Sequence, residues 1–411
     1  MKKAIIAQSG GPTSVINSSL AGAISSFIEN DFDNIFLSIN GIEGIINGNI
    51  KEVDKKRFVS NNIDKKLMAR PSSILGSCRF KLPESFNDEI YEKIFDNLKK
   101  LDISSLIYIG GNDSMDTVMK LNSYMKNKSI KNINIIGCPK TIDNDLCEMD
   151  HSPGFGSAAK YINTTIQSLR ADVDIYNLKS VTFVEIMGRN AGWLAASSLV
   201  SNYKKDKKFV NLLYLPEEKK SLDEIIDEIK KELESENNLI VAVAEGFMDT
   251  EDKLNKDMFS NTDDGFNHKI VAGVASRLAD IVRNKLNIKS RAVELNIVQR
   301  SNILISKTDS KEAYELGSLA AKLSIESTNL IPVLNRQKGE DYDISYQAVN
   351  PEKIANKEKK IPQAWIKDEK NLEKEIIAYT LPLINGEVKQ EYENGLPVFV
   401  NLKDFIMEKD L

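Results

Sequence analysis

Residues 106–114 read Leu106-Ile107-Tyr108-Ile109-Gly110-Gly111-Asn112-Asp113-Ser114, an apolar run broken by a glycine pair and a polar restart. The run has the length and continuous hydrophobicity of a buried strand. Beyond it Met115, Val118 and Met119 share one helical face, so the segment reads strand, glycine turn, helix, with Ser114 as the helix cap. The next apolar run, Ile133, Ile135 and Ile136, arrives at the spacing of one βαβ unit, which makes the two strands parallel. Glycines at such a turn let a ligand approach the backbone. The exposed amides of the helix start favour an anion, so phosphate is the natural guest.

The second strand of that unit runs into Pro139-Lys140-Thr141-Ile142-Asp143-Asn144-Asp145. Two carboxylates, an amide, a hydroxyl and an ammonium are thus delivered to the carboxyl end of a parallel strand, the edge at which open α/β sheets bind ligands. Asp-Asn-Asp is also an ordinary turn composition. The rest of the chain repeats the same grammar. Lys3–Ala7 reads as a strand, Ser9-Gly10-Gly11-Pro12 as a tight turn, and 15–29 as a helix. Val181–Ile186 is a strand, and Gly188-Arg189-Asn190-Ala191-Gly192 opens a further helix.

Gly110–Ser114, Pro139–Asp145, Met187-Gly188-Arg189-Asn190-Ala191-Gly192-Trp193 and Gln299-Arg300 stand in the order and at about the spacing of the 6-phosphofructokinase family. The resemblance runs from the N-terminus to about residue 335. The Gly-Gly-Asn-Asp-Ser and Pro-Lys-Thr-Ile-Asp-Asn-Asp forms resemble its pyrophosphate-dependent branch. The fold class this implies is α/β, with two doubly wound, Rossmann-like parallel-sheet domains and a C-terminal appendage. Residues 1–155 plus about 303–340 would form the pyrophosphate domain, 156–302 the sugar-phosphate domain, and 341–411 the appendage. In the appendage Ile376, Ile377, Leu381, Leu383, Val398, Phe399 and Val400 are available for burial, so it is expected to be ordered.

Composition, 41% hydrophobic and 28% charged, is that of an ordinary soluble globular protein. A chain of 411 residues exceeds the size at which one core stops growing, so two domains are expected. Net charge is −5, which argues against a general nucleic-acid binder. No apolar run approaches a membrane span, and the N-terminal run is too short for a signal peptide. Cys78, Cys138 and Cys147 form no Cys-x-x-Cys pair and suit a reducing cytoplasm. With only His151 and His268, histidine chemistry has little to rest on, and His151 reads as a hydrogen-bonded loop residue. No Gly-Lys pair exists, which excludes a Walker-type P-loop.

The resemblance implies transfer of a phosphoryl group from pyrophosphate to fructose 6-phosphate, giving fructose 1,6-bisphosphate in glycolysis, reversibly, with Mg²⁺ and in a homo-oligomer, dimer or tetramer. An ATP-dependent kinase of the same fold and a catalytically silent sugar-phosphate sensor are the rival readings. Asp143 would be the base on the sugar 1-hydroxyl, and Asp145 would help place the metal or hold Asp143. Neighbouring carboxylates push their titrations apart, and which one is proton-free stays open. Lys140 and Arg189 would stabilise the moving charge. Gly11, Arg79 and Gly111 would hold pyrophosphate. Thr141, Ile142, Met187, Gly188 and Glu245 would line the sugar, and Arg291 and Arg300 would hold its phosphate. Asp113 would crowd and repel the α-phosphate of a nucleotide. Three departures from the family pattern stand out. Asn112 replaces an aspartate that binds magnesium, leaving an amide oxygen or the pyrophosphate itself to do more of the metal holding; Ile297 replaces a histidine or tyrosine that contacts the sugar phosphate, and Ser180 an arginine that often reaches it from a neighbouring subunit, with Lys179 a substitute.

Overall fold

In a computed structural model, residues 1–251, 254, 273–339 and 341–408 are described. Two sheets carry the architecture. The first comprises β1 (Lys3–Gln8), β2 (Asn34–Ser38), β3 (Ile50–Glu52), β4 (Ser105–Gly110) and β5 (Asn134–Pro139), in the order β3-β2-β1-β4-β5. All neighbours are parallel except β3 on β2. The second comprises β6 (Ser180–Ile186), β7 (Leu212–Tyr214), β8 (Asn238–Ala244) and β9 (Lys289–Glu294), all parallel in the order β7-β8-β6-β9. Strand order reverses at β1/β4 in the first sheet and around β6 in the second. Crevices at such switch points lie beyond the strands' carboxyl ends.

Burial on both faces explains the unbroken apolar runs. Every residue of β4, β6 and β8 is buried, as parallel strands covered by helices require. Helix Ile16–Glu29 packs against helix Lys307–Glu326 so closely that glycines mediate the crossing. A Cβ on Gly22 would sit 1.9 Å from the Tyr314 carbonyl oxygen, and one on Gly317 would sit 1.9 Å from that of Ser19. The late helix therefore returns to the first sheet. The strand expected at 330–334 is β10 (Ile331–Arg336). It pairs antiparallel with β11 (Ile344–Val349) and packs against β5, next to a parallel bridge between Leu330 and Ile136.

Several local expectations are corrected. Gly111, not Ser114, caps helix Asn112–Asn127, and the Ser114 hydroxyl meets Ser9 Oγ at 3.1 Å. Gly154 caps helix Phe155–Val173, so Ser157 lies inside it, where its hydroxyl donates to Asp309 Oδ2 at 2.6 Å. Residues 291–298 read as an apolar strand, but strand β9 ends at Glu294 and a 3₁₀ turn covers Asn296–Arg300. Gly41-Ile42-Glu43-Gly44 has the composition of a turn but opens helix Gly41–Asn47. Of residues 268–285, which read as helical, those from 274 on are helix Val274–Leu286, and His268 lies outside the described residues.

The appendage packs onto both sheets' cores. Ile354, Ala355, Val400 and Phe405 join the core around the first sheet. Ile361, Leu372, Ile376, Tyr379 and Leu383 join that around the second. Val398 stays exposed. Among the described residues no helix is long and apolar enough to cross a membrane.

Candidate active site

The carboxyl ends of β1, β4, β5, β6 and β8 face one another across a cleft of about 530 Å³. From the first sheet come Gly10 and Gly11 after β1, Arg79 from the loop 69–88, Gly111–Asp113 after β4, and Lys140–Asp143 with Asp145 after β5. From the second come Met187, Arg189 and Glu245, joined by Arg300 from the 3₁₀ turn. Residues as far apart in the chain as Gly10 and Arg300 thus line one cavity.

Lys140 is only 2% exposed, which removes it from the class of surface lysines. Its ammonium donates to Ser9 O at 2.8 Å and Gly11 O at 2.6 Å, holding the β1 turn beside the β5 turn. Burial pushes it down to about 7; Asp143 opposes that shift, and Arg300 and Arg79 add to it. A bound polyanion would restore the ammonium, because it returns the negative charge that burial withholds.

Asp143 is turned into the cleft by a local motif. Its N–H donates to Thr141 Oγ1 at 3.1 Å, and that hydroxyl approaches Asp143 Oδ2 at 3.4 Å. Burial raises its pKa against the Thr141 hydroxyl, Arg189, Lys140 and Arg300, which all favour the carboxylate. Asp145 is pushed up to about 7, first by burial and then by Asp143. Glu245 is likewise pushed up to about 7 by burial and Asp143. Three carboxyls with raised affinity for protons facing two or more cations are the kind of constellation found where protons and phosphates are handled.

Thr141 and Ile142 line the same wall. Gln299 is fully buried, and its Oε1 accepts the Met187 N–H at 3.1 Å, so this motif residue positions the Met187 backbone at the cleft wall. Gly188 takes φ +138 in the turn behind the cleft wall and does not line it.

Other expected residues stand elsewhere. Arg291 points from β9 to Asp172 at 3.5 Å and is not part of this chain's cleft. Lys179 and Ser180 lie at the opposite end of β6, where Lys179 Nζ donates to Leu233 O and Ser180 Oγ to Asn238 Oδ1. Neither lines this chain's own cleft. Ile297 is 64% exposed on the 3₁₀ turn. His151 bridges Asp150 and Glu312 at 2.9 and 2.7 Å in a buried ion cluster, as its hydrogen-bonded reading anticipates.

Asn112 lines the cleft but is occupied. Its Oδ1 accepts the Asn356 N–H and its Nδ2 donates to the Lys357 carbonyl, both at 2.6 Å. The amide oxygen expected to serve a metal is held by the appendage instead. Asp145 fits a cation better, since its Oδ1 is buried with no hydrogen-bond partner among the described residues. Sequence reasoning missed Asn356 and Glu358, which complete the cleft from the appendage. No local motif marks them; an Asn-Lys-Glu run in a lysine-rich segment reads as solvated surface.

The family model for phosphofructokinase matches residues 3–323. The chain belongs to the phosphofructokinase family. It is 34% identical to the pyrophosphate–fructose 6-phosphate 1-phosphotransferase of Xanthomonas campestris pv. campestris (strain B100), covering 99% of this chain and 97% of that relative. It is also similar to a sulfofructose kinase of Alkalicoccus urumqiensis, with 32% identity over 77% of this chain and 79% of the other. Among solved structures, the pyrophosphate-dependent phosphofructokinase of Nitrosospira multiformis superposes with a TM-score of 0.84 at 30% identity, covering 100% of this chain and 98% of that one.

Proposed function

We propose that this family member transfers a phosphoryl group from pyrophosphate to the 1-hydroxyl of fructose 6-phosphate, forming fructose 1,6-bisphosphate and orthophosphate. The observation that carries the reading is the buried Lys140 tied to the Gly10–Gly11 turn and facing Asp143 across one cleft. The full-length likeness to enzymes named for this reaction supports it. The hydroxyl oxygen attacks one phosphorus in line, the bridging P–O bond breaks, and Asp143 takes the hydroxyl proton. Orthophosphate leaves. Reversal returns the proton from the Asp143 carboxyl, which its raised proton affinity favours.

Lys140, Arg189 and Arg79 stabilise the charge that shifts toward the leaving phosphate. Gly11 and Gly111 present backbone amides to pyrophosphate, Asp113 guards the donor end, and Glu245, Thr141, Ile142, Met187 and Arg300 hold the sugar phosphate. Asp145, with Asp143 beside it, would hold magnesium. That ion supplies positive charge to the pyrophosphate oxygens. The reading also makes the enzyme a cytoplasmic homo-oligomer, supported by its free cysteines and by Arg291, which is turned away from its own cleft toward Asp172.

Purified protein with fructose 6-phosphate, magnesium and either pyrophosphate or ATP tests the reading. Turnover with pyrophosphate and none with ATP is expected. The sulfofructose kinase among the relatives makes sulfofructose the acceptor to run alongside. A preference for that acceptor would overturn the sugar assignment.

A further inference from the structure

Residues 354–361 cross the mouth of the cleft from one core to the other. Ile354 and Ala355 are buried with the first sheet, Ile361 with the second. Between them the chain is held on both banks. On the first, the Asn112 amide spends its acceptor on Asn356 N–H and its donor on Lys357 O, while Asn356 Nδ2 donates to Asp116 Oδ1 at 2.9 Å. On the second, Asn190 Nδ2 donates to Glu358 Oε1 at 2.5 Å and Trp193 Nε1 to Lys359 O at 3.0 Å. Lys359 N–H also donates to Asp145 O at 2.7 Å.

This geometry explains the identity of residue 112. An aspartate would offer oxygens alone, and one of them would face the Lys357 carbonyl oxygen at the present 2.6 Å. Two acceptors at that distance repel. Only an amide satisfies the strap on both sides.

We propose that residues 356–359 are a strap that sets the length of the phosphoryl donor, admitting two linked phosphates and excluding a third. The inference rests on the pyrophosphate reading above. The strap is fastened at Asn112, the first residue of the helix whose amides would hold the donor, so it closes the end by which a longer polyphosphate must leave. Asp113, next to Asn112, and Glu358, within the strap, both line the cleft. A third phosphate meets backbone where it needs space and negative charge where it needs cations. Asp113 acts from the helix, and the strap acts from a segment more than 240 residues away.

The test compares wild type, Asn112→Asp and Glu358→Ala with pyrophosphate, inorganic tripolyphosphate and ATP as donors, in magnesium and fructose 6-phosphate. The chain has two tryptophans, and Trp193 both bonds the strap and lies 6.0 Å from Trp365, so their emission reports strap release without turnover. Wild type should reject tripolyphosphate. Both variants should raise the tripolyphosphate-to-pyrophosphate rate ratio by on the order of tenfold, from the loss of about one to two hydrogen bonds' worth of restraint. Asn112→Asp should also shift tryptophan emission and expose residues 354–361 to protease. Glu358→Ala leaves Asn112 in place and keeps the test decisive if Asn112→Asp fails to fold. Wild type that uses tripolyphosphate as readily as pyrophosphate overturns the strap while leaving the pyrophosphate reading intact. So do variants with released straps and unchanged donor ratios. Wild type inert with pyrophosphate overturns both.

Discussion

Gly246 follows Glu245 at the carboxyl end of β8 and touches the turn that carries Arg189. A Cβ at this position would lie 1.8 Å from the Arg189 carbonyl oxygen, 2.5 Å from its carbonyl carbon and 2.7 Å from its Cα. All three are backbone atoms, so no rotamer change relieves the overlap. Real Cβ atoms essentially never come within 3.0 Å, so the Arg189 turn must retreat by at least 1.2 Å or β8 must give way. The Gly246 N–H already donates to Gly188 O at 3.3 Å, so the two turns lie in direct contact and the overlap falls on the Arg189 turn. Displacing a catalytic group by about 1 Å costs roughly 10²-fold in rate. Gly246→Ala should therefore lower kcat about 10²-fold, with a stability loss of about 1–3 kcal/mol from overpacking. The assay is steady-state turnover with pyrophosphate and fructose 6-phosphate, paired with thermal melting. Gly48→Ala is the comparison, since a Cβ there meets nothing within 4 Å but sits at φ +71. It should lose about 1 kcal/mol of stability from backbone strain and none of its rate. A Gly246→Ala enzyme with wild-type kcat would refute the reasoning, because it would show that the Arg189 turn can move without consequence.

Asp143→Asn should leave fructose 6-phosphate affinity within a few-fold while kcat falls by about 10² or more, as loss of a general base requires; isothermal titration beside rate measurement checks it. Asp113→Gly should gain measurable ATP use and lose pyrophosphate activity, and Lys140→Gly should depress pyrophosphate turnover strongly; a donor panel on the two variants decides this. With Asn112 held by the strap, magnesium should bind the free protein weakly and arrive with pyrophosphate, so tight calorimetric binding without pyrophosphate would contradict the assignment. His151 is buried; burial lowers its pKa, but the bonds to Asp150 and Glu312 outweigh that and leave it raised. A raised histidine pKa contributes stability that is complete below the unfolded value near 6.5 and is lost as pH rises through the folded value. Unfolding free energy should accordingly decline on the alkaline side of pH 6.5, and His151→Gln should abolish that limb and cost about 3 kcal/mol below it, since Glu312 is left buried without its cation.

Much of this protein is legible from short stretches, because the determinants are local. A glycine pair after an apolar run specifies a turn that only small residues fit, and the 3.6-residue spacing of apolar side chains beyond it specifies a helix. Repeated in several places, that grammar implies parallel sheets whose carboxyl ends carry Lys140, Asp143, Arg189 and Glu245, and those residues do meet in one cleft. Other features depend on which surfaces pack together across long separations. Whether Arg291 faces its own cleft depends on the edge position of β9, which periodicity does not encode. Ser157 looks like a cap until Asp309, 152 residues later, claims its hydroxyl. Asn112 looks like a weakened metal ligand until residues 356–357 arrive 244 and 245 positions later and use both ends of its amide. Residue type and spacing set which turns and helices the chain can form. The burial of Ile354 in one core and Ile361 in the other stretches the strap across the cleft, and that is a property of the packed whole.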